Sequence, residues 1–364
     1  HKLISGGMTF DNTQSEELGR QQGQLSAVFN SPFGLGESIS LFGLARPTIK
    51  GMKGTGLDTP IRAGGVSVSV PIGHNGLTAG VSYMESMTRP GGAASSLALE
   101  ANMKSATGTI SYPIHYSRNT AAFLRASLGW TDEVQHTNTS GEDEDLSHDR
   151  VTTLRFGASV NQCKSGCLGL DFQFSRGIDV GSRSHNEAGN GTPLSRSEGK
   201  TNFSHFNFNT NYKFSPVDNY EVDLKAGGQY SLDDLLNSEQ TSITGSNKLS
   251  GFTSGSISGD EAWYIRGQLN RNYNVSNQIK LTPYVYGAAG VAYTLSPTAV
   301  EERATAAKSI GLGLKFQGLD KLFFQKTISG KVEYSKNWAT GKLEDLSDVR
   351  LRKQHLLVSL AMNF

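Results

Sequence analysis

The run Leu356-Leu357-Val358-Ser359-Leu360-Ala361-Met362-Asn363-Phe364 closes the chain and decides its fold. In an extended strand Leu356, Val358, Leu360, Met362 and Phe364 share one face, while Leu357, Ser359, Ala361 and Asn363 share the other. A strand with hydrocarbon on one side and water on the other reads this way. The same period of two recurs at Leu77, Ala79, Val81 and Tyr83, at Ala122, Leu124, Ala126, Leu128 and Trp130, and at Leu168, Leu170, Phe172 and Phe174. Behind Phe206, Phe208 and Tyr212 lie His205, Asn207, Asn209, Asn211 and Lys213, and behind Val222, Leu224 and Ala226 lie Glu221, Asp223 and Lys225. These polar sets, with Asp171, Gln173, Arg266 and Gln268, are expected to line a wet lumen.

Roughly sixteen such segments of about nine to nineteen residues can be traced. The fold class is therefore read as all-β, a sixteen-stranded antiparallel transmembrane β-barrel with residues 1–364 as its single domain. A soluble sandwich hides its apolar face and does not need so many long strands with aromatic ends.

Composition agrees with that reading. The 364 residues include 42 Gly and only 36% hydrophobic residues, and no stretch approaches the roughly eighteen apolar residues of a membrane-spanning helix. A barrel escapes hydropathy averaging because its lipid-facing and lumen-facing side chains alternate. The net charge of +1 gives no electrostatic reason to expect nucleic acid. The first residues, His1-Lys2-Leu3-Ile4, are already strand-like, so a leader and an upstream domain are expected to have been removed.

The connections supply a second reading, because bacterial barrels alternate short periplasmic turns with longer external loops. With the first strand near Leu3–Phe10, the even-numbered strands should end in short turns. Asn30–Gly36, Pro71–Gly76, Pro113–Asn119, Cys163–Cys167, Ser215–Asp218, Tyr273–Asn277 and Gly318–Gln325 are all compact. The connections between them include the longer Arg46–Ile61, Thr139–His148, Gly181–Gly199 and Asp233–Asp260. Both termini then fall on the periplasmic side. The acidic run Glu142-Asp143-Glu144-Asp145 is expected at an external loop tip as a solvated cluster. Cys163 and Cys167, the only cysteines, are read as a disulfide across a periplasmic turn, since two thiols lack the further ligands of a zinc site and the spacing is not C-x-x-C.

No catalytic constellation converges. The eight His residues are scattered, and no G-x-S-x-G, H-E-x-x-H or Walker-type glycine loop is present. The chain is read as having no catalytic residues, metal or cofactor. The informative stretch is Asp233–Asp260, since a connection of this length is usually functional or disordered.

Three regions resemble the outer-membrane transporters of two-partner secretion, a branch of the Omp85 superfamily. Asp11-Asn12 with Gly19, then Asn30-Ser31-Pro32-Phe33-Gly34-Leu35-Gly36-Glu37, is similar to the family's D-N…G…N-P-F-G-L-G-D pattern. Leu249-Ser250-Gly251-Phe252 falls between the eleventh and twelfth strands, where the family carries V-R-G-F/Y on a sixth loop folded into the pore. Pro283-Tyr284-Val285-Tyr286-Gly287-Ala288-Ala289-Gly290 resembles the P-Y-x-F-x-D-x-G pattern that faces the loop tip. Ser250 stands where the family has Arg, and Ala288 stands where it has the Asp paired with that Arg. Losing one partner would strand a charge, whereas losing both does not.

The resemblance implies a bacterial outer-membrane protein that passes an unfolded partner exoprotein to the cell surface without nucleotide hydrolysis. The partners it implies are that exoprotein and outer-membrane lipid, and the barrel is expected to be monomeric. A plug helix and two periplasmic domains would precede the barrel in the family's longer chains. Gly251 and Phe252 are expected to dock the loop more weakly than an ion pair would. A diffusion porin and a superfamily insertase are the rival readings. The segment Thr241–Asp260 has only Lys248 and Asp260 as charges, which argues against the charged constriction of a porin.

Overall fold

Backbone N–H and C=O groups cannot remain unpaired in hydrocarbon, so a β-structure that crosses a bilayer must close on itself. This chain does so. A computed structural model describes residues 3–14, 18–46, 60–90, 98–138, 144–184, 191–276, 278–299, 301–320, 326–340 and 354–364. Its strands are β1 (Ile4–Asp11), β2 (Gln22–Asn30), β3 (Ser38–Ala45), β4 (Ile61–Ile72), β5 (Leu77–Thr88), β6 (Leu99–Tyr116), β7 (Thr120–Thr137), β8 (Glu144–Cys163), β9 (Gly166–Ile178), β10 (Ser204–Phe214) and β11 (Tyr220–Ser231). There follow β12 (Glu261–Arg271, continued by Tyr273–Asn274), β13 (Ile279–Tyr293), β14 (Ala304–Asp320), β15 (Lys326–Ala339) and β16 (Gln354–Asn363). Each pairs antiparallel with its sequence neighbours, and β1 pairs with β16 to close a sixteen-stranded barrel.

The closing seam is short. β1 and β16 pair from Gly7↔Asn363 to Asp11↔Ser359, whereas β6 and β7 pair from Leu99↔Thr137 to Tyr116↔Ala121. Asn12 lengthens the seam with its side chain. Its Oδ1 accepts from the Val358 amide at 2.7 Å and its Nδ2 donates to the Leu356 carbonyl at 2.9 Å, so a side-chain amide stands in for a peptide unit.

The alternation read from the sequence is the alternation of the wall. Leu124, Leu128, Leu170, Phe172, Leu356, Val358 and Leu360 point outward and are exposed, while Leu357 points inward and is buried. β6, β7 and β8 have 18, 18 and 20 residues. At about 3.3 Å per residue β8 runs roughly 60 Å, more than a hydrocarbon core of about 30 Å requires even when tilted by about 45°. The excess projects on the side of the long loops. There Glu85, Lys104, Asp132 and Arg150 form one outward row across β5–β8, with charges alternating in register. Such a row marks where lipid ends.

The rhythm of connections holds with local corrections. Pro113 lies within β6 rather than in a turn, at a register shift between Pro113 and His115 that accommodates its missing N–H. Tyr273 and Asn274 continue β12, Gly318 belongs to β14, and residues 321–325 lie outside the described set. Glu144 and Asp145 are not at a loop tip: they extend β8 opposite Thr137 and His136, because the ladder with β7 continues past a register shift at Gln135/His136. Glu142 and Asp143 lie outside the described residues. Cys163 and Cys167 are disulfide-bonded across the β8–β9 turn.

The β2–β3 turn shows why its motif ends in an acid. Gly34 and Gly36 adopt φ of +79° and +77°, the left-handed conformation that glycine tolerates. They aim two backbone amides at one carboxylate. Glu37 accepts from the Phe33 amide and, at 2.8 Å, from the Leu35 amide. Burial pushes its carboxyl up, but these backbone hydrogen bonds outweigh that and hold it below the ordinary carboxylate value. With the folded value depressed, the carboxylate's contribution is complete above the unfolded value, near 4.3, and is lost as pH falls through the lower folded value. Hydrogen exchange at Phe33 and Leu35, corrected for intrinsic rates, should therefore accelerate only below about pH 4. In Glu37→Gln it should be fast at neutral pH as well. Unchanged protection in that variant would remove Glu37 from the turn's support.

Candidate functional site

The connection from β11 to β12, residues 232–260, contains a single 3-10 turn, Asn237–Glu239, and a two-residue ladder of Thr241–Ser242 with Ser258–Gly259. Its apolar side chains avoid water by packing on the inner wall. Ile243, Leu249, Phe252 and Ile257 form one buried cluster with Tyr284, Tyr286, Ala288 and Ala292 of β13 and Ala307 of β14. Each large side chain so buried contributes roughly 1.5–3 kcal/mol toward docking.

Ser250 sits at the polar centre of the contact, fully buried. Its hydroxyl donates to Glu333 Oε1 and accepts from Arg266 Nη1 at 2.6 Å. Arg266 Nη2 reaches Glu333 Oε2 at 3.3 Å, and Tyr284 OH donates to that same oxygen at 2.6 Å. The guanidinium lies 3.7 Å from the centroid of the Tyr286 ring, and its Nη1 also donates to the Lys248 carbonyl at 3.1 Å. Apart from the Lys331 ammonium, 3.9 Å from Glu333 Oε2, the partners of this charge pair are placed dipoles, hydroxyls or an aromatic face, the condition under which a buried ion pair is tolerated.

The expected contacts of Gly251 and Phe252 are thus joined by a neutral one at Ser250. Arg266 on β12 stands directly opposite Ala288 on β13. The guanidinium that the resemblance places on the loop comes here from the wall, beside Ala288, and the carboxylate comes from Glu333 on β15. Ser250 links the loop to both. Gly251 fits only as glycine: its carbonyl accepts from Asn337 Nδ2 at 2.6 Å, and a Cβ would lie 1.8 Å from Asn337 Oδ1. Gly290 has the matching constraint, since a Cβ there would lie 3.2 Å from Ile243 Cδ1 and 2.8 Å from the Trp263 carbonyl.

The rest of the connection is held by two further clusters. Both oxygens of Glu239 accept from Arg155 Nη2, at 2.7 and 2.9 Å, and the carboxylate lies 3.3 Å from His205 Nε2. Burial pushes the Glu239 carboxyl up, but the His205 hydrogen bond and the Arg155 charge hold it below its ordinary value. Asp260, fully buried, accepts from Arg196 at 2.6 Å, from the Leu235 amide at 3.0 Å and from the Leu295 amide at 2.9 Å. One carboxylate thus joins three outer connections. Val151, Leu194, Phe203, Leu235 and Leu236 form a small apolar core beside it. At the far end the Ser254 amide donates to the Thr13 carbonyl at 3.0 Å, so the connection bonds to groups from β8 round to the end of β1.

The remaining expected lumen residues sit on the inner wall, but only some meet the loop. Lys225 reaches Asn247 of the loop at 3.3 Å, while Gln268 supports the anchor from within the wall by accepting from Arg266 at 3.0 Å. Asn207 bonds to Gln229, whose amide donates to the Asp260 carbonyl. Asp171 pairs with Arg125, Gln173 with Ser175, Asn209 with Tyr264, Glu221 with Lys213 and Asp223 with Lys225, all within the wall. Sequence reading did not single out Glu333, Asn337, Asp260 or Arg196 as anchors. Glu333 carried a signal, an acid between the outward residues Val332 and Tyr334.

A closed sixteen-stranded barrel with a lipid-facing apolar wall, a polar lumen and an inward-folded connection defines an outer-membrane β-barrel protein. The chain belongs to the haemolysin secretion/activation protein family ShlB/FhaC/HecB, whose model matches residues 1–315. Among solved structures, CdiB from Escherichia coli superposes with TM-score 0.81 at 16% identity, covering 100% of this chain and 63% of that one. CdiB from Acinetobacter baumannii gives 0.69 at 15%, covering 100% and 60%. BamA from Haemophilus ducreyi lacking POTRA domains 1-3 gives 0.59 at 12%, covering 100% and 71%. The chain thus spans about three fifths of the length of the two CdiB structures. No curated protein matches it in sequence.

The anchoring pair yields a double-mutant cycle. Arg266→Met should destabilise the barrel by about 3–5 kcal/mol, because Glu333 is left charged and buried. Arg266→Met with Glu333→Gln should recover most of that loss. Urea midpoints of the folded, heat-modifiable form measure both, and additive losses would show that the two residues are not coupled.

Proposed function

We propose that this transporter passes an unfolded partner exoprotein from periplasm to cell surface, with the 232–260 connection closing the lumen at rest and moving aside during passage. The observation that carries the reading is how that connection is held. Its tip is bound by hydrogen bonds and apolar contacts from wall residues, and none of these is a covalent tie.

The lumen suits a passing backbone. Wall amides and carboxylates such as Asn207, Asn209, Asp171, Glu221 and Asp223 can exchange hydrogen bonds with an extended chain, as water would. The periplasm supplies no nucleotide, so folding of the exoprotein outside the cell provides direction. Outer-membrane lipid surrounds the barrel, one chain forms the pore, and nucleic acid plays no part.

A reversible lock tests this. Thr13→Cys with Ser254→Cys, in a Cys163→Ala/Cys167→Ala background, should tether the connection when oxidised and stop surface delivery of a co-produced large exoprotein. Reduction should restore delivery. Delivery that continues through the locked form would show that the connection need not move. Misassembled outer-membrane barrels on deletion, with the polypeptide still delivered, would favour an insertase, and small-solute flux without polypeptide delivery would favour a porin.

A further inference from the structure

The outer face of β12–β15 carries a feature that transport does not use. Ile265, Ala289, Lys308 and Trp338 stand in one register row across these strands. Gly267, Gly287, Ile310 and Lys336 stand in the next. Small residues at Gly267, Gly287 and Ala289 leave an apolar groove of about 550 Å³ between Ile265, Ile310 and Trp338. A Cβ at Gly287 would meet nothing within 4 Å, so the groove is open there to a ligand from the membrane.

The groove has a cationic rim on its β14–β15 side. Lys308 Nζ lies 5.6 Å and Lys336 Nζ 5.5 Å from the centroid of Trp338, so one indole places two ammonium groups. Both lysines are exposed, and among the described residues neither has a carboxylate within salt-bridge distance. Across the barrel the Glu85–Lys104–Asp132–Arg150 row answers each cation with an anion. Here two like charges flank one indole on the lipid-facing surface, and no carboxylate among the described residues answers them. An anionic lipid headgroup is a counter-charge that the bilayer surface itself supplies. Beside the two lysines, in the same two register rows, lies a slot that takes hydrocarbon.

We propose that this groove binds one phosphate-bearing lipid of the outer leaflet, its phosphate between Lys308 and Lys336 and an acyl chain over Gly267, Gly287 and Ala289. The Trp338 ring packs between headgroup and chain, as interfacial tryptophans do.

Native mass spectrometry tests the site on the whole protein, exchanged from detergent into phosphatidylcholine vesicles containing either bis-phosphorylated lipid A or its dephosphorylated form. Wild type should retain one molecule of the phosphorylated lipid. Lys308→Gln or Lys336→Gln alone should lower that affinity roughly five-fold, and the two together roughly thirty-fold. Gly287→Leu should lower it with both lysines in place. Inorganic pyrophosphate at matched concentration should not displace the lipid, because it has no chain for the groove. Equal retention by wild type and the double lysine variant would overturn the proposal, as would equal retention of the dephosphorylated lipid or displacement by pyrophosphate. Both lysines are exposed, so their variants should fold even if Gly287→Leu does not, and heat-modifiable migration checks each.

Discussion

A backbone amide left unpaired in hydrocarbon costs several kcal/mol, and the organisation of this protein follows from that cost. It demands closure, and closure demands that β1 and β16 meet although nothing in local sequence joins them. They meet over a short ladder that Asn12 lengthens by lending its side-chain amide to Val358 and Leu356. Once closed, the wall has two faces, and each strand must alternate to satisfy both. The lumen is then polar because it is the only place left for polar side chains.

That lumen receives the 232–260 connection as a second core. The outward aliphatics give the barrel no internal packing, so the apolar residues of the connection and of β13 pack with one another inside the lumen. The hydrogen bonds around Ser250 fix the register of this contact, because Gly251 and Gly290 admit the loop only where no Cβ stands in the way. Apolar burial supplies the attraction, and the polar centre supplies the position.

The strands and their faces were legible because lipid imposes a period that no neighbouring element can override. Leu356, Val358 and Leu360 point outward for the same reason that their spacing is visible. The turn Asn30–Glu37 and the location of the long connection were legible too, since both depend on local residues. Strand ends were less so: Pro113 and Glu144 continue ladders because of cross-strand partners that a single segment does not reveal. The anchor was hidden for a stronger reason. Arg266 and Glu333 are 67 residues apart and are brought together by the register of β12 through β15, so the absence of a charge at Ser250 and at Ala288 looked like the absence of an ion pair. The family pattern located the contact but misassigned its chemistry.

Placing both charges on the wall changes what must be undone when the tip withdraws. An arginine carried on the loop would have to leave its carboxylate behind, separating opposite charges in a weakly screened space. Ser250 leaves as a neutral hydroxyl, and Arg266 and Glu333 stay together on rigid strands, still sharing a hydrogen bond. The Ser250 contact is therefore undone without separating charge, and the wall it uncovers is already in its resting arrangement. Opposite charges part only at the base of the connection, where Glu239 would have to leave Arg155.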